Sequence, residues 1–128
     1  MKILLDTCTF LWLITDDIVL SRSARNAFVD PDNDVYLSVV SVWEITVKHK
    51  LGKLPLPVSP ERFIPFQRDR HGITSLPLEE QAFLYLSKLP PLHRDPFDRV
   101  LVCQAIQHEL TLLTPDSLIT QYPVRTAW

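Results

Sequence analysis

The chain has 128 residues and a formal net charge of −2, and 46% of its residues are apolar. This length and composition suit one domain with a real hydrophobic core, which is expected to span residues 1–128. The weak negative charge excludes nucleic-acid binding through overall basicity, and no run of about 18 apolar residues is present to predict a membrane span.

The N-terminal stretch and the cysteines indicate the compartment. The apolar residues of MKILLDTCTFLWLITDD are interrupted by Asp6 and contain no small-residue cleavage site, which argues against a signal peptide. Cys8 and Cys103 form neither a secreted disulfide framework nor a pair at zinc-ligand spacing. A reduced, cytoplasmic protein is therefore expected.

The first third of the chain alternates strand-like and helical patterns. A short apolar run that ends on Asp6 predicts a buried strand, and Ser21 is a suitable N-cap for a later helix. A second strand is predicted from its β-branched and aromatic residues. The segments in order are the strand KILLD, the helices TFLWLITDD and SRSARNAFVD, the turn DPDND and the strand VYLSV.

The middle third predicts two helices, a strand and a further amphipathic helix. Trp43, Val47 and Leu51 fall four residues apart on one predicted apolar face, and Gly52 is a natural helix stop. Pro65 weakens the middle of the second helix. The segments in order are SVWEITVKHKLGKL, SPERFIPFQRDRHG, ITSLPL and LEEQAFLYLSKL.

The last third opens with a rigid, proline-containing loop. Pro96 then suits the first turn of a helix that is apolar nearly all round, which indicates a buried helix. The segments in order are the loop PPLHRD, the helix PFDRVLVCQAIQHEL, the strand TLLT, the short helix PDSLITQY and the edge strand VRTAW.

The predicted order of elements is βααβααβααβαβ. Strands that alternate with helices predict an α/β fold in three layers, with a central parallel sheet of four to five short strands flanked by helices. Sites in such sheets lie at the carboxyl ends of the strands. Asp6 follows the first strand and Asp116 follows the strand TLLT, so an acidic site is expected at this edge.

Several of these acids also have an ordinary structural explanation. Asp6 and Asp116 can cap the helices that follow them. Glu44 can form an S-x-x-E capping box with Ser41, and it can pair with Lys48 one turn further along.

The stretch HRDPFDRVLVCQA holds two aspartates whose spacing suits a helix start. Asp95 would be the cap, Pro96 the first helical residue and Asp98 an acid in the first turn. A helix buried nearly all round would, however, place this N-terminus in a partly buried setting. Carboxylates held there need a cation, supplied by Arg94, Arg99 or a metal ion.

Taken together, the acids come from four separated segments. Several carboxylates crowded together cannot all stay ionised without a cation. A site with oxygen ligands suits Mg²⁺, with Mn²⁺ as a substitute. Such ions activate water for phosphodiester hydrolysis, often as a pair about 3.5–4 Å apart.

Four segments, LLDTCTFLW, SVWEITVKHKLGKL, HRDPFDRVLVCQA and LLTPD, resemble in order the PIN-domain family, and above all its VapC-type toxins of toxin–antitoxin pairs. The resemblance implies a Mg²⁺-dependent ribonuclease with a PIN-like parallel sheet, usually dimeric and inhibited by a small antitoxin. The catalytic acids that it implies are Asp6, Glu44, Asp98 and Asp116, and the metal ligands among them are Asp6, Asp98 and Asp116. Asp95 is an additional acid of the DPFD subgroup, and it caps the helix, contacts the metal, or does both.

Neighbours of these acids are candidates for supporting roles. Accessory roles are expected for Thr7, Ser41, Thr114 and Arg99. Contacts with the RNA backbone are expected for Lys48, Lys50 and Arg94, with a solvated helix face as the alternative for the lysines. Arg99 can equally contact phosphate or form a salt bridge. His93 is interpreted as an ordinary loop residue rather than an RNA contact or a proton shuttle.

Two apolar features remain. Trp12 and Trp43 are expected to be core or interface residues rather than platforms for stacking bases. The segment LGKLPLP is either a docking surface beside the acidic site, for an antitoxin or a second copy, or a packed loop.

The sequence therefore predicts a Mg²⁺-dependent endoribonuclease toxin whose carboxylates hold the metal and whose metal-activated water attacks RNA. The expected partners are the RNA, a cognate antitoxin and a second copy of the chain. A non-catalytic binding module of the same fold is the second hypothesis, and the intact acids argue against it. A phosphoacceptor receiver domain is the third. It requires an acidic pair after the first strand and a lysine after the last, and neither LLDTC nor LLTPD supplies them.

Overall fold

Five short strands form one sheet in which every neighbouring pair is parallel. The computed structural model describes residues 1–128. The strands are β1 Lys2–Leu5, β2 Asp34–Ser38, β3 Thr74–Leu76, β4 Thr111–Leu113 and β5 Thr126–Ala127. Their order across the sheet is β3-β2-β1-β4-β5. The predicted parallel sheet of four to five strands is confirmed.

Seven helices connect the strands in the predicted order βααβααβααβαβ. None of them is both long enough and apolar enough to cross a membrane. The helices are α1 Thr7–Thr15, α2 Arg22–Val29, α3 Val39–Lys50, α4 Pro60–Arg70, α5 Glu80–Tyr85, α6 Pro96–Gln107 and α7 Ser117–Thr120, and a 3₁₀ turn at Leu86–Lys88 continues α5.

The two faces of the sheet support two hydrophobic clusters. Side chains alternate between the faces along each strand, so Leu4 packs with α5, α6 and α7 while Ile3 and Leu5 pack with α1, α2 and α4. α3 contributes Val40 to the first cluster and Ile45 to the second. The result is the predicted three-layer arrangement.

The sheet order changes direction between β1 and β4. From β1 the chain moves through β2 to β3 on one side, whereas β4 and β5 lie on the other. In open parallel sheets the crevice at such a switch point is where ligands bind, outside the carboxyl ends of the strands. Asp6, which follows β1, and Thr114, which follows β4, therefore lie where the fold predicts a ligand site.

The start of α3 differs from the prediction. Its N-cap is Ser38, whose side chain accepts a hydrogen bond from the Val40 backbone N–H. Ser41 and Glu44 lie inside the helix and are buried. The predicted capping box between them is wrong because the strand β2 runs directly into the helix three residues earlier.

The buried stripe of α3 also differs from the prediction. Trp43 and Leu51, which were expected on the apolar inner face, are 55% and 63% exposed. The stripe that faces inward is instead made of Val40, Ser41, Glu44 and Ile45. Two polar side chains therefore occupy the inner face, and a bulky aromatic lies outside.

The segment LGKLPLP follows the far end of α3 as a loop that is partly packed and partly exposed. Leu54 and Leu56 pack against the second hydrophobic cluster, and Leu51 remains exposed. The segment begins seven residues after Glu44, about 10 Å further along the helix axis. Leu54 and Leu56 agree with the packed-loop interpretation, and the docking surface stays a prediction.

The buried side-chain amide of Gln104 links the ends of β2 and β3 at the carboxyl edge of the sheet. Ser38 Oγ donates to Gln104 Oε1 at 2.5 Å, and Gln104 Nε2 donates to the Pro77 carbonyl at 3.2 Å. We expect Gln104→Leu to lower the free energy of unfolding by about 1–3 kcal/mol, because the buried Ser38 hydroxyl loses its acceptor. Urea denaturation measures this. The exposed Gln81→Leu is the control, with a change within about 0.5 kcal/mol; equal stability of the two variants would contradict the role of the bridge.

Candidate metal centre

Asp6 is buried at the carboxyl end of β1, with 5% of its surface exposed. It occupies the N-cap position of α1, yet its side chain makes no capping hydrogen bond. Its Oδ2 instead accepts a 2.8 Å hydrogen bond from Thr114 Oγ1. The capping explanation for this carboxylate is therefore wrong, and the group is turned toward the end of β4.

Thr114 connects two of the predicted acids. Besides donating to Asp6, its hydroxyl accepts a 3.1 Å hydrogen bond from the Asp116 backbone N–H. Asp116 Oδ1 caps α7 by accepting from the Leu118 N–H at 2.9 Å. Asp116 thus keeps its predicted capping role while its second oxygen stays available to the crevice.

Glu44 enters the same region from the middle of α3. Thr7 Oγ1 lies 2.8 Å from both Glu44 Oε1 and Ser41 Oγ. A hydroxyl has a single hydrogen, so Thr7 donates to the carboxylate and accepts from Ser41. Lys48, one turn along, pairs with the other oxygen of Glu44, as the sequence predicted.

Asp95 and Asp98 differ in what their carboxylates contact. Asp95 Oδ1 accepts the backbone N–H groups of Phe97 and Asp98 at 2.8 and 3.2 Å, which confirms its role as the cap of α6. Asp98 Oδ2 lies 2.8 Å from His93 Nε2, and both side chains are about one-eighth exposed. Asp95 is therefore occupied by the helix, and Asp98 faces the crevice.

Burial and mutual repulsion disturb the ionisation of two acids. Burial raises the pKa of Asp6 to about 6, although the hydrogen bond from Thr114 acts to lower it. The negative charges of Glu44 and Asp116 raise this pKa further by smaller amounts. Burial, and then the charge of Asp6, raise the pKa of Asp98 to about 7 even though His93 acts in the opposite direction. The Glu44 carboxylate raises the pKa of Lys48 above its ordinary value.

The donor set fits a divalent cation. Ligand atoms of His93, Asp98 and Asp116 lie within 4.8 Å of one another, and Asp6 is coupled electrostatically to Asp98 and Asp116. None of these three aspartates forms an ion pair with a lysine or arginine, since Lys48 pairs with Glu44. Carboxylate oxygens dominate the set, and such ligands suit the hard ions Mg²⁺ and Mn²⁺.

The other predicted side chains lie outside this cluster. Arg99 forms no salt bridge, so that interpretation is wrong; its Nη2 donates to the Leu86 carbonyl at 3.3 Å. Arg94 and Lys50 are exposed. Neither makes a side-chain contact with the acids.

His93 is the residue that sequence reasoning assigned to the loop alone. Its backbone N–H donates to the buried Tyr122 hydroxyl at 2.9 Å, which ties the loop before α6 to the turn after α7. This tie brings the imidazole onto Asp98. The only signal in the sequence is that His93 immediately precedes the RDPFD stretch, since the contact with Tyr122 spans 29 residues.

The family model for the PIN domain matches residues 3–124. The chain belongs to the PIN-domain family. Within that family it resembles the VapC-type proteins. It is 36% identical over 58 residues to Ribonuclease VapC16 of Mycobacterium tuberculosis (strain ATCC 25618 / H37Rv), a match that covers 45% of this chain and 41% of that relative. The match thus spans about two-fifths of the length of VapC16.

Solved structures of similar PIN-type chains share the fold. VapBC2 from Rickettsia felis, bound to a DNA fragment from its promoter, contains a chain with a TM-score of 0.74 and 14% identity, covering 99% of this chain and 98% of that one. DNA-bound VapBC from Salmonella typhimurium gives 0.68 and 16%, covering 99% and 97%. At these identities the likeness establishes the fold.

The raised pKa values of this PIN domain predict an unusual pH dependence. Both lie above the ordinary value of 3.8, so between about pH 4 and pH 7 the folded protein binds more protons than the unfolded chain. The free energy of unfolding contributed by Asp6 and Asp98 therefore falls as pH rises through this window. Asp98→Asn removes one such group, so in EDTA its Tm relative to wild type should increase from about pH 4.5 to about pH 7.5.

The exposed Asp32→Asn variant is the control for this measurement, and its Tm difference from wild type should stay level over the same range. If the Tm difference between Asp98→Asn and wild type also stays level with pH, ionisation of Asp98 does not destabilise the folded protein.

Proposed function

We propose that this protein is a Mg²⁺-dependent endoribonuclease, the toxin of a toxin–antitoxin pair, and that residues 1–128 form one PIN domain. The observation that carries the proposal is the convergence of Asp6, Glu44, Asp98 and Asp116 at the switch point of the sheet, with the pKa values of Asp6 and Asp98 raised to about 6 and about 7. Carboxylates crowded in this way favour binding of a cation, which supports the proposal. The resemblance to VapC-type proteins supports the choice of RNA as substrate.

Asp6, Asp98 and Asp116 would hold the ion, and Asp95 would stay the cap of α6 and reach the ion at most through its free oxygen. When bound, Mg²⁺ or Mn²⁺ supplies an activated water and offsets charge on the scissile phosphodiester. Thr114 fixes the direction of Asp6 and the backbone of Asp116. Thr7 and Ser41 hold Glu44.

Lys48 supplies positive charge at the rim. Its ammonium is paired with Glu44, and its side chain is 42% exposed, so it can meet a substrate phosphate without leaving the helix face. Lys50 and Arg94 would add longer-range attraction for the RNA backbone. The expected partners are thus single-stranded RNA, a small antitoxin and a second copy of the chain, in keeping with the VapBC complexes of like fold.

His93 is proposed as a positioning residue for Asp98. Its Nδ1 accepts the Arg94 backbone N–H at 3.1 Å, which leaves the ring proton on Nε2, where it donates to Asp98 Oδ2. A donor held on one carboxylate oxygen orients the other toward a metal, as outer contacts of metal ligands commonly do. The imidazole would then tune the ligand without binding the ion.

The two aspartates of the DPFD stretch should separate capping from metal binding. Asp95→Asn is expected to keep most stability and cleavage, because Asn caps a helix about as well as Asp. Asp98→Asn should leave the fold intact and lower the cleavage rate with Mg²⁺ by at least about 100-fold, because a charged ligand is lost. Cleavage of a labelled RNA, with and without EDTA, measures both. Wild-type cleavage that persists in excess EDTA would contradict the metal dependence.

The role of His93 is tested by two variants of different chemistry. Gln carries an amide N–H at a reach similar to that of Nε2, so His93→Gln should retain most activity, whereas His93→Phe should raise the Mg²⁺ concentration for half-maximal cleavage by about 10-fold or more. Calorimetric Mn²⁺ affinity should move in the same way. If His93 is itself a ligand, Gln will not rescue and Mn²⁺ binding will suffer more than Mg²⁺ binding.

Toxicity in cells tests the partner assignment. Expression of the wild-type chain should arrest growth, Asp6→Asn should not, and co-expression of the small protein encoded beside the gene should relieve the arrest. Equal arrest by Asp6→Asn at equal protein levels would show that ribonuclease activity is not the cause.

A further inference from the structure

A groove of about 450 Å³ lies between α3, α5 and the start of α6, and none of the catalytic acids lines it. Its apolar walls include Trp43, Phe83 and Leu86, and its cationic side is formed by Arg94 and Arg99. This volume falls in the range of ordinary small-ligand pockets. Its lining contains no acidic residue.

The groove and the acidic crevice are built on the same two helices, α3 and α6. Trp43 immediately precedes Glu44 on α3, and Arg99 immediately follows Asp98 on α6. The rings of Trp43 and Phe97 meet edge to face, with centroids 4.8 Å apart, and so join the two helices. The helices that carry Glu44 and Asp98 therefore also carry part of the groove lining.

Trp43 is exposed but held in place. It is 55% exposed, so of the two expected roles, core or interface, the core role is wrong, and core packing does not explain an indole at this position. The contact with Phe97 fixes the ring while one side remains open. A rigid, half-open aromatic surface is what base stacking requires.

The arginines beside it are not neutralised by acids. Neither Arg94 nor Arg99 forms a salt bridge. Arg99 donates through Nη2 to the Leu86 carbonyl, and its buried Nε has no hydrogen-bond partner. Arg94 is exposed, and its backbone is fixed by the hydrogen bond to His93 Nδ1.

We propose that this groove binds a nucleobase of single-stranded RNA next to the scissile phosphate, with the base stacked on Trp43 and an adjoining phosphate bound by Arg94 and Arg99. This inference rests on the proposed ribonuclease function. Positive charge without any acid, and an open indole on the helices that also carry Glu44 and Asp98, favour RNA over an apolar protein segment. The groove would then help to select which sequence is cut.

Binding is tested on the full chain carrying Asp98→Asn, which is expected not to cut, with a short single-stranded RNA as the probe. We expect RNA to quench the tryptophan fluorescence and Trp43→Ala to weaken binding, measured by fluorescence anisotropy of labelled RNA, about 5- to 150-fold. Phe66→Ala, which removes another exposed aromatic, should leave the affinity unchanged. Arg94→Ala should weaken binding and lower its salt dependence by about one ion, while the exposed Arg22→Ala should do neither.

Cleavage gives the second readout. In the active chain, Trp43→Ala should raise KM and change the preferred cut sites more than it lowers kcat. Unchanged RNA affinity and unchanged cut sites would overturn the proposal while leaving the ribonuclease function intact. Sedimentation of Trp43→Ala as a smaller species, with normal RNA affinity, would overturn it in favour of an interface between copies. Absence of cleavage by the wild type would refute the proposed function, and the anisotropy assay would still decide whether the groove binds RNA.

Discussion

The hydrogen bond from Thr114 Oγ1 to Asp6 Oδ2 joins the carboxyl ends of β1 and β4, and the acidic site depends on it. These two residues are 108 positions apart in the chain. Only the parallel pairing of β1 with β4 brings them together, and that pairing is the switch point of the sheet. The same hydroxyl accepts the Asp116 backbone N–H, so one side chain holds the Asp6 carboxylate and the Asp116 backbone. The fold thus places negative charge at the carboxyl edge of the sheet, at its switch point.

The acids at this edge are neutralised unequally. Glu44 is satisfied from within the chain, by the Thr7 hydroxyl on one oxygen and the Lys48 ammonium on the other. Asp6 and Asp98 are not, since each has a single side-chain hydrogen bond and both have raised pKa values. Buried charges without partners cost folding free energy. A bound cation would offset that cost.

Much of the fold followed from the sequence because local pattern and global arrangement agree. Apolar runs that end on Asp6 and on Thr114 predicted strands whose carboxyl ends meet, and the sheet confirms this. The inner face of α3 was not predicted, since periodicity assumes that apolar residues are buried. Here Ser41 and Glu44 are buried because Thr7, on a different helix, satisfies them. Because Ser41 and Glu44 occupy the inner face of α3, Trp43 lies on the outer face. The His93–Asp98 contact depends on the distant Tyr122, which no local pattern in the sequence reveals.

The central claim is that Asp6 and Asp98 bind a divalent cation. Calorimetric titration with Mn²⁺ at about pH 6.5, in buffers of different ionisation enthalpy, tests this claim most directly. Metal binding must displace the protons that these carboxyls retain, since their pKa values are about 6 and about 7. The account predicts saturable binding with release of about one proton per ion. Binding whose heat does not depend on the buffer, or no binding at all, would contradict it.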